Sequence, residues 1–338
     1  MNISMHSSDD FSAILGTSIV SIMVNNREEE ICFYIIEDNI SNYNKNLLNT
    51  LVKEYGQQIV FIPMPDINKR YQLGLKKVNK KWFFNSYCRL FLYDLLPLDV
   101  HRVIYLDSDT ITNGNLKELW NTNLEGCAFG AVYDCLNDNY YKLLSLNPNY
   151  GYCNSGVLLQ DLDLLRQINA LERIKEYINN QDGYVFFMEQ TILNSCFYEY
   201  IKVLSPKYNF QTLMASLCYD NIIRLRQPKH FYSKDELNIS LDETKIIHLT
   251  TAFFIDNRAW YVKTNHPAHD LFIKYQAITP WDISKKYIDD RGIVKKILSL
   301  FLKILPKIIT FPIVRFIYNN LRVKRIEKIL RSKHKNEC

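Results

Sequence analysis

Short apolar runs alternate with amphipathic stretches from the start of the chain. Asn2–Ser7 reads as a strand, and Ser8, Asp9 and Asp10 then offer capping oxygens to a helix reaching about Asn25. The nearly continuous apolar run Glu30–Asp38 predicts a second strand, Asn42–Tyr55 a polar-faced helix, and Gln58–Met64 a third strand. A helix over about Asn85–Leu96, ending before Pro97, precedes the strand Arg102–Asp109. Further on, Cys127–Asp134 and Cys153–Gln160 predict strands, the second running into one helix that continues to about Asn180, and another helix follows over Met188–Tyr198. Ile201–Ile246 shows no clear period and reads as irregular, with a last short strand at Lys245–Leu249. Apolar strands interleaved with helices predict an α/β fold, a Rossmann-like, mostly parallel sheet covered on both faces. In such sheets ligands bind beyond the carboxyl ends of the strands.

One strand end draws the chemistry. Val103–Leu106 runs into Asp107 and Asp109, two carboxylates one position apart. Like charges so close repel unless they share a cation, and oxygen ligands suit Mg2+ or Mn2+. Two side chains cannot fill an octahedral shell, so substrate oxygens, such as those of a nucleotide diphosphate, would complete it. A bare Asp-x-Asp also arises as an ordinary turn, and the surrounding residues have to decide. Phosphatases of the haloacid dehalogenase type carry Asp-x-Asp-x-Thr near the start of their domain. Here Ile111 stands at the fifth position and the pair lies deep in the chain, which speaks against that class.

Six stretches in order carry a resemblance. They are Ser7–Phe11, Asn85–Leu92, Val103–Thr110, Tyr152–Arg166, Glu189–Asn194, and Ile246–Thr251 with Asn257–Trp260. Over about residues 1–265 the chain resembles the retaining glycosyltransferases of family 8, which move hexoses from UDP-sugars. The resemblance implies a GT-A-type fold and a UDP-sugar donor. It implies Mn2+, with Mg2+ as second choice, held by Asp107, Asp109 and His248; an imidazole among carboxylates suits Mn2+ better. It further implies Asp9 at the uracil, Ser7 and Ser108 near the ribose, and Arg89 near the sugar and diphosphate. An arginine in the apolar run around it also needs an anionic partner on physical grounds. Asn154, with Ser155 and Gly156 beside it, would meet the hexose; Gln190 would face the anomeric carbon, with Glu189 as the alternative nucleophile. Two departures stand out. Glu189 replaces the family's usual aspartate, which leaves galactose and glucose undivided as donors. Arg258-Ala259-Trp260 replaces Lys-Pro-Trp, so Arg258 would neutralise the diphosphate, with Thr250 or Thr251 in the place of a glycine.

Composition and charge sharpen the picture at the two ends. With 47% hydrophobic residues in 338, the chain can bury a large core. Eight scattered cysteines without a Cys-x-x-Cys pair fit free thiols in a reducing compartment. The start of the chain lacks a charged, then apolar leader, so the cytoplasm is expected. Residues 291–338 hold 13 Lys/Arg against 2 acids, whereas the other 290 residues hold 28 against 34. The basic character belongs to the tail. On a helical wheel Lys296, Lys303 and Lys307 gather on one side, and Ile297, Phe301, Ile304, Leu305 and Ile308 on the other. The three lysines, with Pro306 and Pro312, argue against a membrane span and for short amphipathic helices on an anionic membrane surface. Nucleic acid is excluded as a partner because the aromatics sit in the apolar face, not among the basic residues. The division expected is a catalytic unit over 1–270 and a basic, membrane-associating segment over 271–338. A membrane-bound enzyme implies a lipid-linked saccharide acceptor, for example lipopolysaccharide core, and the basic aromatic loop Tyr71–Phe84 is a candidate for holding it. A non-catalytic glycan- or membrane-binding relative is the competing class, and the intact Asp107, Asp109, His248 and Gln190 speak against it.

Overall fold

In the computed structural model of the chain, residues 1–76, 84–252, 258–282 and 304–335 are described, together with 293, 296, 297 and 300. Part of the expected acceptor loop (residues 77–83) and Phe301 and Lys303 of the tail lie outside them. Among the described residues there are ten strands: β1 (Asn2–Ser8), β2 (Cys32–Asp38), β3 (Gln58–Pro63), β4 (Arg102–Leu106), β5 (Thr110–Thr112), β6 (Phe129–Tyr133), β7 (Cys153–Asp161), β8 (Ile201–Val203), β9 (Phe210–Gln211) and β10 (Ile246–His248). Seven form the central sheet in the order β3-β2-β1-β4-β7-β6-β8. All its pairings are parallel except those that β7 makes with β4 and β6. The mixed, mostly parallel sheet expected from the sequence is therefore what forms. A second sheet, β5-β10-β9, lies beyond the end of β4.

Alternate residues of the strands feed two cores. Ile3, Met5, Ile104, Leu106, Val157 and Leu159 face one cluster, which also takes Ile111, Phe210 and Ile246 of the small sheet. Val103, Tyr105, Phe129, Ala131 and Leu158 face the other, covered by the helices Ala170–Asn180 and Met188–Cys196. The helix Ser12–Asn25 is buried from Ser12 to Met23 on all sides. It can be, because its Ser, Thr, Ala and Gly are small and its hydroxyls bond back to the helix, Thr17 to the Ala13 carbonyl and Ser21 to that of Ser18.

Several local expectations are corrected. Ser8 makes no side-chain cap; the Asp9 carboxylate instead accepts from the Ser41 N–H and the Asn44 amide, at 2.8 and 2.7 Å. Over Phe84–Leu90 the chain is a 3-10 helix, followed by the single turn Leu92–Leu95. Three residues per turn put Ser86 and Arg89 on one edge, where both reach the site. The long helix expected from Leu162 to Asn180 breaks at Asn169, which takes a left-handed φ of 54°. Ile201–Ile246 is not irregular: besides β8 and β9 it holds the helices Thr212–Ser216, Tyr219–Arg226 and Lys234–Asp242, the last opened by a capping box between Ser233 and Glu236.

After position 270 the chain returns to the body. The helix His269–Gln276 buries Phe272 and Tyr275 in the first core, and the Tyr275 hydroxyl meets the Asn25 amide at 2.8 Å. The helix Arg322–Lys335, entered through a π-helical turn over Ile317–Leu321, buries Ile326 in a satellite cluster with Leu136, Tyr140 and Tyr152. No helix among the described residues is long and apolar enough to cross a membrane.

Candidate active site

The site forms because β7 runs against β4. The carboxyl end of β4 thereby lies beside the start of β7, and the Asp107 N–H donates to the Gly156 carbonyl at 2.8 Å. From the other side, β10 pairs with β5 directly after the Asp pair, His248 opposite Thr110. Asp107, Asp109 and His248 thus each present a ligand atom within 4.8 Å of the others. His248 Nε2 stands 3.3 Å from Asp109 Oδ1 and 3.7 Å from Asp107 Oδ2. His248 Nδ1 meets Asn209 Oδ1, which can only accept, at 3.0 Å, so Nε2 is the ring atom that faces the carboxylates. Burial alone would raise the Asp109 carboxyl, but His248 and Arg258 outweigh it and hold it down at about 2. Two carboxylate oxygens and one ring nitrogen facing a common point fit a divalent cation.

Gly156 is what lets this cage close. A Cβ there would stand 2.2 Å from His248 Cε1 and 2.7 Å from Asp107 Oδ2. The neighbouring Asn154 links the cage to Gln190. Its Oδ1 accepts from the Asn209 amide at 2.9 Å and the Gly156 N–H at 2.9 Å, and its Nδ2 donates to Gln190 Oε1 at 3.2 Å. The Ser155 N–H adds a second bond to Gln190 Oε1 at 3.3 Å, and Gln190 Nε2 donates to Asp134 at 3.0 Å. A continuous polar chain therefore runs from His248 through Asn209, Asn154 and Gln190 to Asp134.

Arg89 joins the acids on the other flank. It pairs with Asp107 through two nitrogens, at 2.7 and 3.2 Å, and stands 3.5 Å from Glu189. Its guanidinium covers the Tyr105 ring, and the Tyr105 hydroxyl donates to Asp107 at 2.9 Å. Burial works against its charge, but Asp107, Tyr105 and Glu189 outweigh that and hold the guanidinium well above its ordinary pKa. Glu189 also accepts from the Ser86 hydroxyl at 2.6 Å. Phe187 and Met188, consecutive residues with φ of 58° and 55°, turn the chain so that Glu189 and Gln190 enter the site. Arg258 donates to Asp109 Oδ2 and to the Leu249 carbonyl, both at 2.8 Å. Ser108 donates to the His6 carbonyl at 2.7 Å, Ser7 is buried, and Thr251 is exposed in the loop that follows β10.

Two adjoining cavities open here. A smaller one, about 320 Å³, is lined by Ser7, Phe11 and Asp107–Asp109. A larger one, about 790 Å³, is lined by Ser86, Asp134, Glu189 and Gln190 and by Tyr318 and Arg322 of the C-terminal segment. His6 and Ser8 line both. His6 Nε2 is buried without a hydrogen-bond partner, and burial lowers its pKa to about 4, so the ring at this junction is neutral. The sequence reading did not single out His6, Phe11, Asp134, Asn209, Tyr318 or Arg322. For Phe11 a signal existed, an aromatic just beyond the first strand end; for the others only the fold brings them in.

A mixed, mostly parallel seven-stranded sheet with a carboxylate pair just past the end of β4 is the architecture of the GT-A fold. A family model for glycosyl transferase family 8 matches residues 2–253, and the chain belongs to that family. General stress protein A of Bacillus subtilis is 24% identical over 286 residues, 83% of this chain and 95% of that protein. Lipopolysaccharide 1,2-glucosyltransferase of Escherichia coli K12 is 27% identical over 274 residues, 79% of this chain and 75% of the relative. Among solved structures, the galactosyltransferase LgtC, crystallised with donor and acceptor sugar analogs, superposes with a TM-score of 0.69 at 20% identity, covering 83% of this chain and 97% of its own. That likeness concerns the fold.

Proposed function

We propose that the protein is a retaining hexosyltransferase that moves galactose or glucose from a UDP-sugar to a saccharide acceptor, with Mn2+ held by Asp107, Asp109 and His248. The supporting observation is the convergence of that cage, the Arg89–Asp107 pair and Gln190 on two adjoining cavities. Charge favours the reading. Asp107, Asp109 and Glu189 against Arg89 and Arg258 leave one negative charge; a divalent cation makes it one positive, ready for a diphosphate. The smaller cavity then takes the nucleotide, with Phe11 as a flat face for the base, Ser7 and Ser108 in its lining, and Asp9, two residues before Phe11, reaching the uracil. The cation, when bound, supplies Lewis-acid stabilisation of the diphosphate. Arg258, released from Asp109, can follow that charge, the kind of electrostatic help that dominates such departures.

Gln190 Oε1 already accepts two hydrogen bonds, so it is a poor nucleophile. The Glu189 carboxylate is drawn to Arg89 and Ser86. Both facts favour same-face attack by the acceptor hydroxyl, with Gln190 and Asn154 orienting the hexose between the cavities. The acceptor is read as lipid-linked, as in the lipopolysaccharide glucosyltransferase relative, and the basic tail as a peripheral contact with the cytoplasmic face of an anionic membrane, beginning near residue 271. Purified protein incubated with a panel of UDP-hexoses should release UDP only with Mn2+ and only from galactose or glucose donors. Release from none of them sinks the reading; general phosphate-ester cleavage would point to a phosphatase.

A further inference from the structure

The C-terminal segment shares the lining of the larger cavity with Gln190. Tyr318 and Arg322 line it, one turn apart across the π-helical turn. The turn is fixed in place: the Tyr140 hydroxyl donates to the Tyr318 carbonyl at 2.6 Å, and Asn139 to the Asn319 carbonyl at 2.9 Å. Asn319 is itself buried and donates to the Arg226 carbonyl at 3.1 Å. Arg322 lies over the rings of both Phe187 and Tyr318, its guanidinium 5.0 Å from each centroid. It is the one cation among the described residues lining this cavity, and no carboxylate among them pairs with it.

The cavity's acids are otherwise engaged. Asp134 accepts from Gln190 and from the Cys135 N–H, Glu189 from Ser86, and Asp38 from Asn85 at 2.5 Å. Each of these carboxylates is held by a donor of its own and none by Arg322, whose guanidinium meets the Tyr140 hydroxyl and pairs with no carboxylate among the described residues. Stacked on two rings, it is oriented in advance, and its planar fork matches the two oxygens of a phosphate or carboxylate.

We propose that Arg322 seats an anionic group, phosphate or carboxylate, of the acceptor, so that the C-terminal segment belongs to the substrate site as well as to the surface. The inference rests on the reading that the larger cavity receives the acceptor. The anion can come from the sugar itself or from a lipid to which the glycan is joined. Full-length protein saturated with Mn2+ and UDP would be titrated with glucose, glucose 6-phosphate and glucuronate, followed by isothermal titration calorimetry. Phosphatidylcholine vesicles with and without phosphatidylglycerol form the second arm.

Charged hexoses should bind about tenfold or more tightly than glucose. Arg322→Gln should remove that preference and Arg322→Lys restore part of it, as a clamp that merely holds the tail would not. If the anion is lipid-borne, the hexoses show no preference and Arg322→Gln instead weakens binding to the anionic vesicles. Discrimination unchanged by Arg322→Gln in both arms overturns the proposal. Failure of UDP to bind with Mn2+ in the wild type would sink the donor reading instead, since both titrations are also read without UDP.

Discussion

Replacing Gly156 with alanine tests the cage at its tightest point. The new methyl group would stand 2.2 Å from His248 Cε1 and 2.7 Å from Asp107 Oδ2. Carbon contacts settle near 3.5 Å, so the imidazole must retreat by about 1.3 Å. It has little room to do so, because His248 is buried, bonded to Asn209 at 3.0 Å, and carried on a strand paired on both sides. Metal-ligand distances tolerate only about 0.2 Å. The overpacking should cost roughly 1–3 kcal/mol of stability, leaving a folded protein. Mn2+ affinity should fall further, by about a hundredfold, at the upper end of what outer-shell changes cause. Calorimetric Mn2+ titration in the presence of UDP, beside urea unfolding of the same variant, separates the two effects. Wild-type Mn2+ affinity in a folded Gly156→Ala protein would refute the reasoning, since the imidazole could not then be where the cation is.

Asn209→Ala frees His248 Nδ1 and should weaken Mn2+ binding by roughly ten- to a hundredfold, read by the same titration. Gln190→Ala should lose far less UDP-sugar turnover than Asp109→Ala; equal, near-total loss would count against same-face attack. Arg89→Met leaves Asp107 and Glu189 facing each other in a buried place and should cost about 3 kcal/mol or more in urea unfolding. Burial holds His266 down to about 4, and its Nδ1 accepts from the Ala268 N–H while Nε2 meets Thr212 at 2.8 Å, so the folded ring stays neutral. The unfolded chain binds that proton first, so stability is full above about pH 6.5 and falls as pH drops toward 4, by about 2 kcal/mol at pH 5. His266→Asn should flatten that part of the stability–pH curve.

The four parallel strands and the long buried β7 were legible because each is a bounded apolar run, and the Asp pair because it ends one. The 3-10 helix at Phe84–Leu90 was not, since its apolar spacing fits an α-helix equally well; contacts of Ser86 and Arg89 with Glu189 and Asp107 go with the tighter winding. Asn209 sits in a segment whose period is broken by elements of two to nine residues, too short to show one. Asp134 and Arg322 have no local signature at all. Asp134 is placed by the Gln190 amide, 56 positions on, and Arg322 by the packing of its helix neighbour Ile326 against Leu136, Tyr140 and Tyr152, far back in the chain. Residues from several of the ordered motifs meet in one place, and polar residues outside any motif became visible only through their partners.

The backward course of β7 has a consequence for the order of events in folding. The couplet and Gly156 are joined only once about fifty intervening residues have closed into the ladder, and the imidazole arrives from about ninety further on. No short stretch of nascent chain offers a cation more than one pair of ligands. Added manganese should therefore raise the melting temperature of the finished protein while leaving its refolding rate untouched, the ion being a late guest and not a nucleus.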